Sequence, residues 1–134
     1  MQVTLQVASQ PGHYVAAREL IQSEGVKPVN LEFPTILAYD VESKKLVGVC
    51  GTHHQDDLLL AGPLVLESSF PRFKTALQLC EAYEHAMKML GIKSFTMVCP
   101  KDSIIAEAID RYKPENIELY ATEGDNRFYI WRRG

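Results

Sequence analysis

Few residues in this chain carry reactive chemistry, and the most suggestive of them is an anion-binding pattern. The stretch SSFPRFKTA (68–76) joins an apolar run to a long helical pattern and puts Arg72 and Lys74 at the join. A helix N-terminus offers unpaired N–H groups and the positive end of the dipole. Acidic residues are usually favoured there, so a cation pair suits a bound anion better than it suits the helix. The alternative is two solvated charges on a first turn. The stretch has no glycine, and glycine is what lets backbone approach a phosphate closely.

Other candidates are weaker. His53, His54, Asp56 and Asp57 are metal-ligating types in a row. Adjacent strand side chains point to opposite faces, so the two histidines do not share one ion, and HHQDD is expected to be a solvated turn. No metal is expected. Cys50, Cys80 and Cys99 are odd in number and form no CxxC. They are expected to be small core residues in a reducing compartment, the cytoplasm. Cys99–Pro100 falls at a strand end. The basic tail with Arg127 and WRRG is expected to be a solvated edge.

The totals bound the class. The 134 residues fit one domain, 1–134, with 46% hydrophobic and 23% charged residues. A net charge of -3 and a pI near 5.8 argue against nucleic acid as a partner. No apolar run approaches the roughly 20 residues a membrane helix needs, and MQVTLQVASQPGHY lacks the pattern of a signal peptide.

Periodicity then supplies the elements that would position these residues. Residues 2–8 alternate as a half-buried strand, and Pro11 opens a helix that Gly25 stops. Strands are expected over 34–41, 45–53 and 58–66, the first two as a hairpin. Within the third, Gly62–Pro63 interrupts an apolar run; proline cannot donate to the ladder, so a β-bulge is expected there. A simple edge or kink is the alternative. The longest helix is expected from Pro71 to Leu90, with Phe73, Ala76, Leu77, Cys80, Tyr83, Met87 and Leu90 as its apolar stripe and Gly91 after its end. A strand over 93–100, a helix over 103–112 capped by Asp102 or Ser103, and strands over 116–122 and 126–133 around EGDN complete the chain. This is a mixed α/β domain with a sheet of about six or seven strands, and its long helix crosses between parallel neighbours on one face.

With AGPLVLESSFPRFKTAL (61–77), a long helix ending at Leu90–Gly91, and AIDRY (108–112), the order resembles the GNAT acyl-CoA N-acyltransferase fold. It looks like a compact member of the kind phages encode. The resemblance implies acetyl-coenzyme A as cofactor. It implies that the bulge splays two strands and frees backbone of Leu64, Val65 and Leu66 for the pantetheine arm and the acyl carbonyl. It implies that Ser68, Ser69, Arg72, Phe73, Lys74 and Thr75 form the pyrophosphate loop. In the family that loop usually reads Gln/Arg-x-x-Gly-x-Gly/Ala, so SSFPRFKTA is a degenerate version. The resemblance further implies Tyr112, with Tyr120 as fallback, as the acid for the thiolate, and Glu67 as a general base.

Two functions follow. The first is acetyl or acyl transfer from coenzyme A to an amine of a small molecule or protein. The second is a catalytically inactive protein of this fold that acts on another protein, such as a host enzyme or a virion component. A coenzyme A-binding regulator lies between them. The strand NRFYIWRR is a candidate for pairing with a second copy as a homodimer.

Overall fold

The computed structural model describes residues 2–27, 29–70 and 72–132, with the backbone alone at Arg72. The elements are β1 (Val3–Val7), α1 (Pro11–Ser23), β2 (Glu32–Asp40), β3 (Leu46–Gln55), β4 (Leu58–Leu66), α2 (Arg72–Met89), β5 (Ser94–Pro100), α3 (Ile104–Tyr112), β6 (Ile117–Glu123) and β7 (Asn126–Arg132). The expected Pro71 start of α2 lies outside the described residues.

Local chemistry explains where the helices stop and start. Gly25 and Gly91 take φ of 77° and 78°, a conformation open to glycine at little cost. In each case the next residue closes the helix: Val26 N–H donates to the Ile21 carbonyl and Ile92 N–H to the Met87 carbonyl. At α3 the cap is Ser103, whose Oγ accepts from Ala106 N–H at 3.3 Å.

The strands form one sheet in the order β1-β2-β3-β4-β5-β7-β6, and β4 and β5 are its parallel pair. The helix between them, α2, packs one face of the sheet with α3, burying Ala76, Leu79, Cys80, Tyr83 and Met87 against Ile36, Met97 and Trp131. Leu79 joins the expected stripe, whereas Leu90, just past the helix end, is exposed. On the other face α1 packs Ala17 and Ile21 on Leu37, Val49 and Val65. Each such aliphatic side chain stabilises the fold by roughly 1.5–3 kcal/mol when fully buried.

Two expectations are corrected. The strand expected to end at His53 runs on through His54 and Gln55, and the turn of HHQDD is confined to Asp56–Asp57, with Asp56 at φ 56°. The NRFYIWRR strand is not an edge: β7 pairs with β5 on one side and β6 on the other. Its backbone groups are already used, so it cannot pair with a second copy. The edges are β1 and β6.

Candidate active site

The site begins with one residue too many in β4. Thr52 opposes Ala61 and Cys50 opposes Leu64, so Gly51 alone faces both Gly62 and Pro63. That is the expected β-bulge. Gly62 has φ +114°, a conformation that side chains oppose. Pro63 adds a position without an N–H.

Beyond the bulge the parallel pair parts. Leu60 pairs with Thr96 and Ala61 with Met97, and the β4–β5 ladder ends there. Leu64, Val65 and Leu66 still pair with Cys50, Val49 and Gly48 of β3. Across the gap, Val98, Cys99 and Pro100 pair with β7. Backbone groups of Leu64–Leu66 on the β5 side therefore lack a ladder partner.

A cavity of about 220 Å³ lies along this arm of β4, lined by Glu24, Val26, Leu64, Val65, Leu66, Ser68 and Ile104. Four of these were expected from sequence: Leu64, Val65, Leu66 and Ser68. Ile104, on the first turn of α3, and Glu24 and Val26, just after α1, were not. Their contribution depends on how distant elements meet at this cleft.

The loop into α2 is held by its own side chains. Glu67 N–H donates to the Val47 carbonyl at 2.8 Å, and Phe70 N–H to the Glu67 carbonyl at 3.0 Å. Ser69 Oγ donates to Glu67 Oε1 at 2.6 Å, and Lys45 Nζ lies 3.6 Å from the same oxygen. The Phe70 side chain is buried in the core. Glu67, expected as a base, is thus tied to Ser69 and Lys45 at the loop end of β4. It stands five positions after Gly62, roughly 16 Å along an extended strand.

The remaining expected residues scatter. Lys74 is exposed on the first turn of α2, where no acidic side chain stands. Thr75 is buried, and Phe73 lies under the Arg111 guanidinium at 5.0 Å. The Arg72 side chain lies outside the described residues. Tyr112 closes α3 and is 55% exposed; it stands eight residues from Ile104, roughly 12 Å along the helix. Neither it nor Tyr120, also exposed, lines the cavity.

The histidines separate as strand geometry requires. His53 Nδ1 bonds the Gly62 carbonyl at 2.6 Å. His54 Nδ1 pairs with the Glu32 carboxylate. Among the described residues no group of three or more metal-ligating side chains converges. All three cysteines are free and buried. Burial pushes the Cys50 thiol up to about 12 and raises Cys80 and Cys99 as well, so none is poised as a nucleophile. Arg127 pairs with Asp110 at 2.8 Å and Arg132 with Glu118 at 3.1 Å, which neutralises much of the basic end. No helix is long and apolar enough to cross a membrane among the described residues.

A single mixed sheet, splayed after a bulge between parallel strands that a long helix connects, defines the class of fold. Solved structures agree. An acetyltransferase of the GNAT family from Staphylococcus aureus is similar over 98% of this chain and 99% of its own, with a TM-score of 0.69 and 13% identity. The PaiA N-acetyltransferase from Thermoplasma acidophilum, in complex with coenzyme A, is similar over 98% and 99%, with a TM-score of 0.65 and 12% identity. The NatC complex bound to Gag peptide and CoA contains a chain similar over 100% of both, with a TM-score of 0.70 and 15% identity. No protein-family model matches the sequence, and no curated protein matches it. The chain has the GNAT fold.

Proposed function

We propose that the protein transfers the acetyl group of acetyl-coenzyme A to an amine of a small molecule or of a protein. The observation that carries this reading is the parting of β4 from β5 after Ala61. It leaves Leu64–Leu66 edge backbone beside a cavity that Ser68 and Ile104 also line. Pantetheine is an extended chain with two amides, and it suits such an edge as an added strand would. The solved coenzyme A complexes of the same fold support the choice of substrate.

At the far end of the opening, the first-turn amides of α2 with Arg72 and Lys74 are the proposed pyrophosphate contact. Phe73 and Thr75 shape that turn, Phe73 beneath Arg111 and Thr75 in the core. Tyr112 is far enough from the cavity that solvent serves as the acid for the thiolate in this reading.

Isothermal calorimetry with acetyl-coenzyme A tests the proposal. Saturable heat is expected for the wild-type protein. Its absence would overturn the reading and favour the second function, a fold kept for a surface that meets another protein.

A further inference from the structure

His53 has the position and the tautomer of a proton acceptor at the point where β4 and β5 part. A carbonyl oxygen has no proton to give, so the nitrogen that bonds the Gly62 carbonyl, Nδ1, carries the N–H. A neutral imidazole with its proton there keeps a lone pair on Nε2. The bond joins the ring to the bulge itself, beside the residues of β4 that lack a β5 partner.

The side of the sheet is also fixed. Gly51 and His53 share a strand face. A Cβ on Gly51 would come within 2.5 Å of Leu31 and 3.6 Å of the Gly62 carbonyl oxygen. Leu31 packs with the α1 cluster. His53 therefore projects on the α1 side, two residues beyond the position that Leu31 covers, and it is half-buried. The Val98 carbonyl of β5 stands across from Gly62, 3.7 Å from where its Cβ would be. His54 is no substitute, because it takes the other face and is bound to Glu32.

We infer that His53 is the general base of the transfer; this rests on the acetyl-transfer reading above. The nitrogen of a neutral primary amine forms a bond to the acetyl carbon as the carbon–sulfur bond breaks. Sulfur leaves with the electron pair of that bond. The amine proton passes to Nε2, and the imidazolium returns it through solvent to the thiolate. One amide and one thiol result, and the histidine is restored.

His53→Asn separates the two roles of the ring, since the asparagine amide N–H can still donate to the Gly62 carbonyl but offers no Nε2. The assay is thiol release from acetyl-coenzyme A, in water and with spermidine, lysine and short peptides bearing a free N-terminus. Calorimetry with acetyl-coenzyme A runs in parallel. The variant is expected to bind within about twofold of wild type and to lose on the order of a hundredfold or more in turnover. Unchanged turnover overturns the proposal, as does a wild-type protein that binds acetyl-coenzyme A yet releases no thiol. A wild-type protein that binds none overturns the acetyl-transfer reading first, and this inference with it. Nitrogen-15 imidazole spectra of the wild-type protein check the assignment without any variant. A proton on Nδ1 of His53 is expected, and one on Nε2 alone would sink it.

Discussion

The bulge and the α2 loop stand at the two ends of the same short arm of β4, and they solve opposite problems. At Gly62–Pro63 the backbone is forced out of the ladder, by a φ of +114° and a missing N–H, so that Leu64–Leu66 have no β5 partner. At 67–70 the loop closes on itself, through Ser69, Lys45 and the buried Phe70. In the proposed reading, one end serves a neutral, extended ligand. The other serves an anion at the start of α2, where Lys74 is exposed, with the Glu67 carboxylate in the loop that leads there. Binding energy for a coenzyme A substrate should therefore be distributed unevenly, with shape dominating at the bulge and charge at the loop.

The largest effect should come from the bulge. Gly62→Val forces a β-branched residue into φ +114°, which costs roughly 1–3 kcal/mol of stability, readable as a lower denaturation midpoint. If the parting of β4 and β5 is what admits the substrate, acetyl-coenzyme A binding should fall below detection even at temperatures where the variant is folded. Retained affinity would show that the bulge shapes the strand without shaping the site.

A smaller effect is expected at the loop. Arg72→Ala with Lys74→Ala removes two cations from the first turn of α2. A surface cation–anion pair contributes about 0.2–1 kcal/mol, so losing both should weaken affinity roughly tenfold. The loss should shrink as salt rises, because Lys74 is exposed and salt screens an exposed charge. Binding that ignores both substitutions would move the pyrophosphate away from this helix end. The difference from Gly62→Val, salt-sensitive against salt-insensitive, is the sharper form of the contrast.

How much of this was legible in the sequence follows the same division. A proline inside an apolar strand has few explanations, so the bulge could be read from Gly62–Pro63 alone. Helix ends were legible for the same local reason: Gly25, Gly91 and Ser103 satisfy orphaned backbone groups wherever they stand. The sheet order was not. β6 alternates Ile117, Leu119 and Ala121 with their neighbours, and β7 carries the continuous run Phe128–Trp131 that suits an inner strand, but nothing local says that β7 inserts between β5 and β6. The cavity walls Glu24, Val26 and Ile104 were missed because they arrive from elements far apart in the chain. His53 stands in the sequence pattern both as the last residue of the strand 45–53 and as the first of HHQDD, and two histidines before two aspartates look solvated. What the pattern does not mark is that β3 runs on to Gln55 and that the partner of His53 is a backbone carbonyl.

The smallest effect is the one that isolates charge at the loop. Glu67 carries the one carboxylate among the expected site residues, and it sits at the loop end of the arm, where the pyrophosphate contact is proposed. Its partners are modest: Ser69 at 2.6 Å, and Lys45 at 3.6 Å with 65% of its side chain exposed. Glu67→Gln keeps an oxygen for the Ser69 hydroxyl and deletes the charge. An exposed ion pair of this kind contributes about 0–1 kcal/mol, so unfolding should barely move. A like charge near a pyrophosphate disfavours it by a comparable amount, so acetyl-coenzyme A should bind about two- to fivefold more tightly in low salt. The same substitution should leave thiol release at saturating substrate unchanged if Glu67 is not the base, and should reduce it by about a hundredfold or more if it is. One variant thus measures the electrostatic penalty at the loop and decides between Glu67 and His53 as proton acceptor.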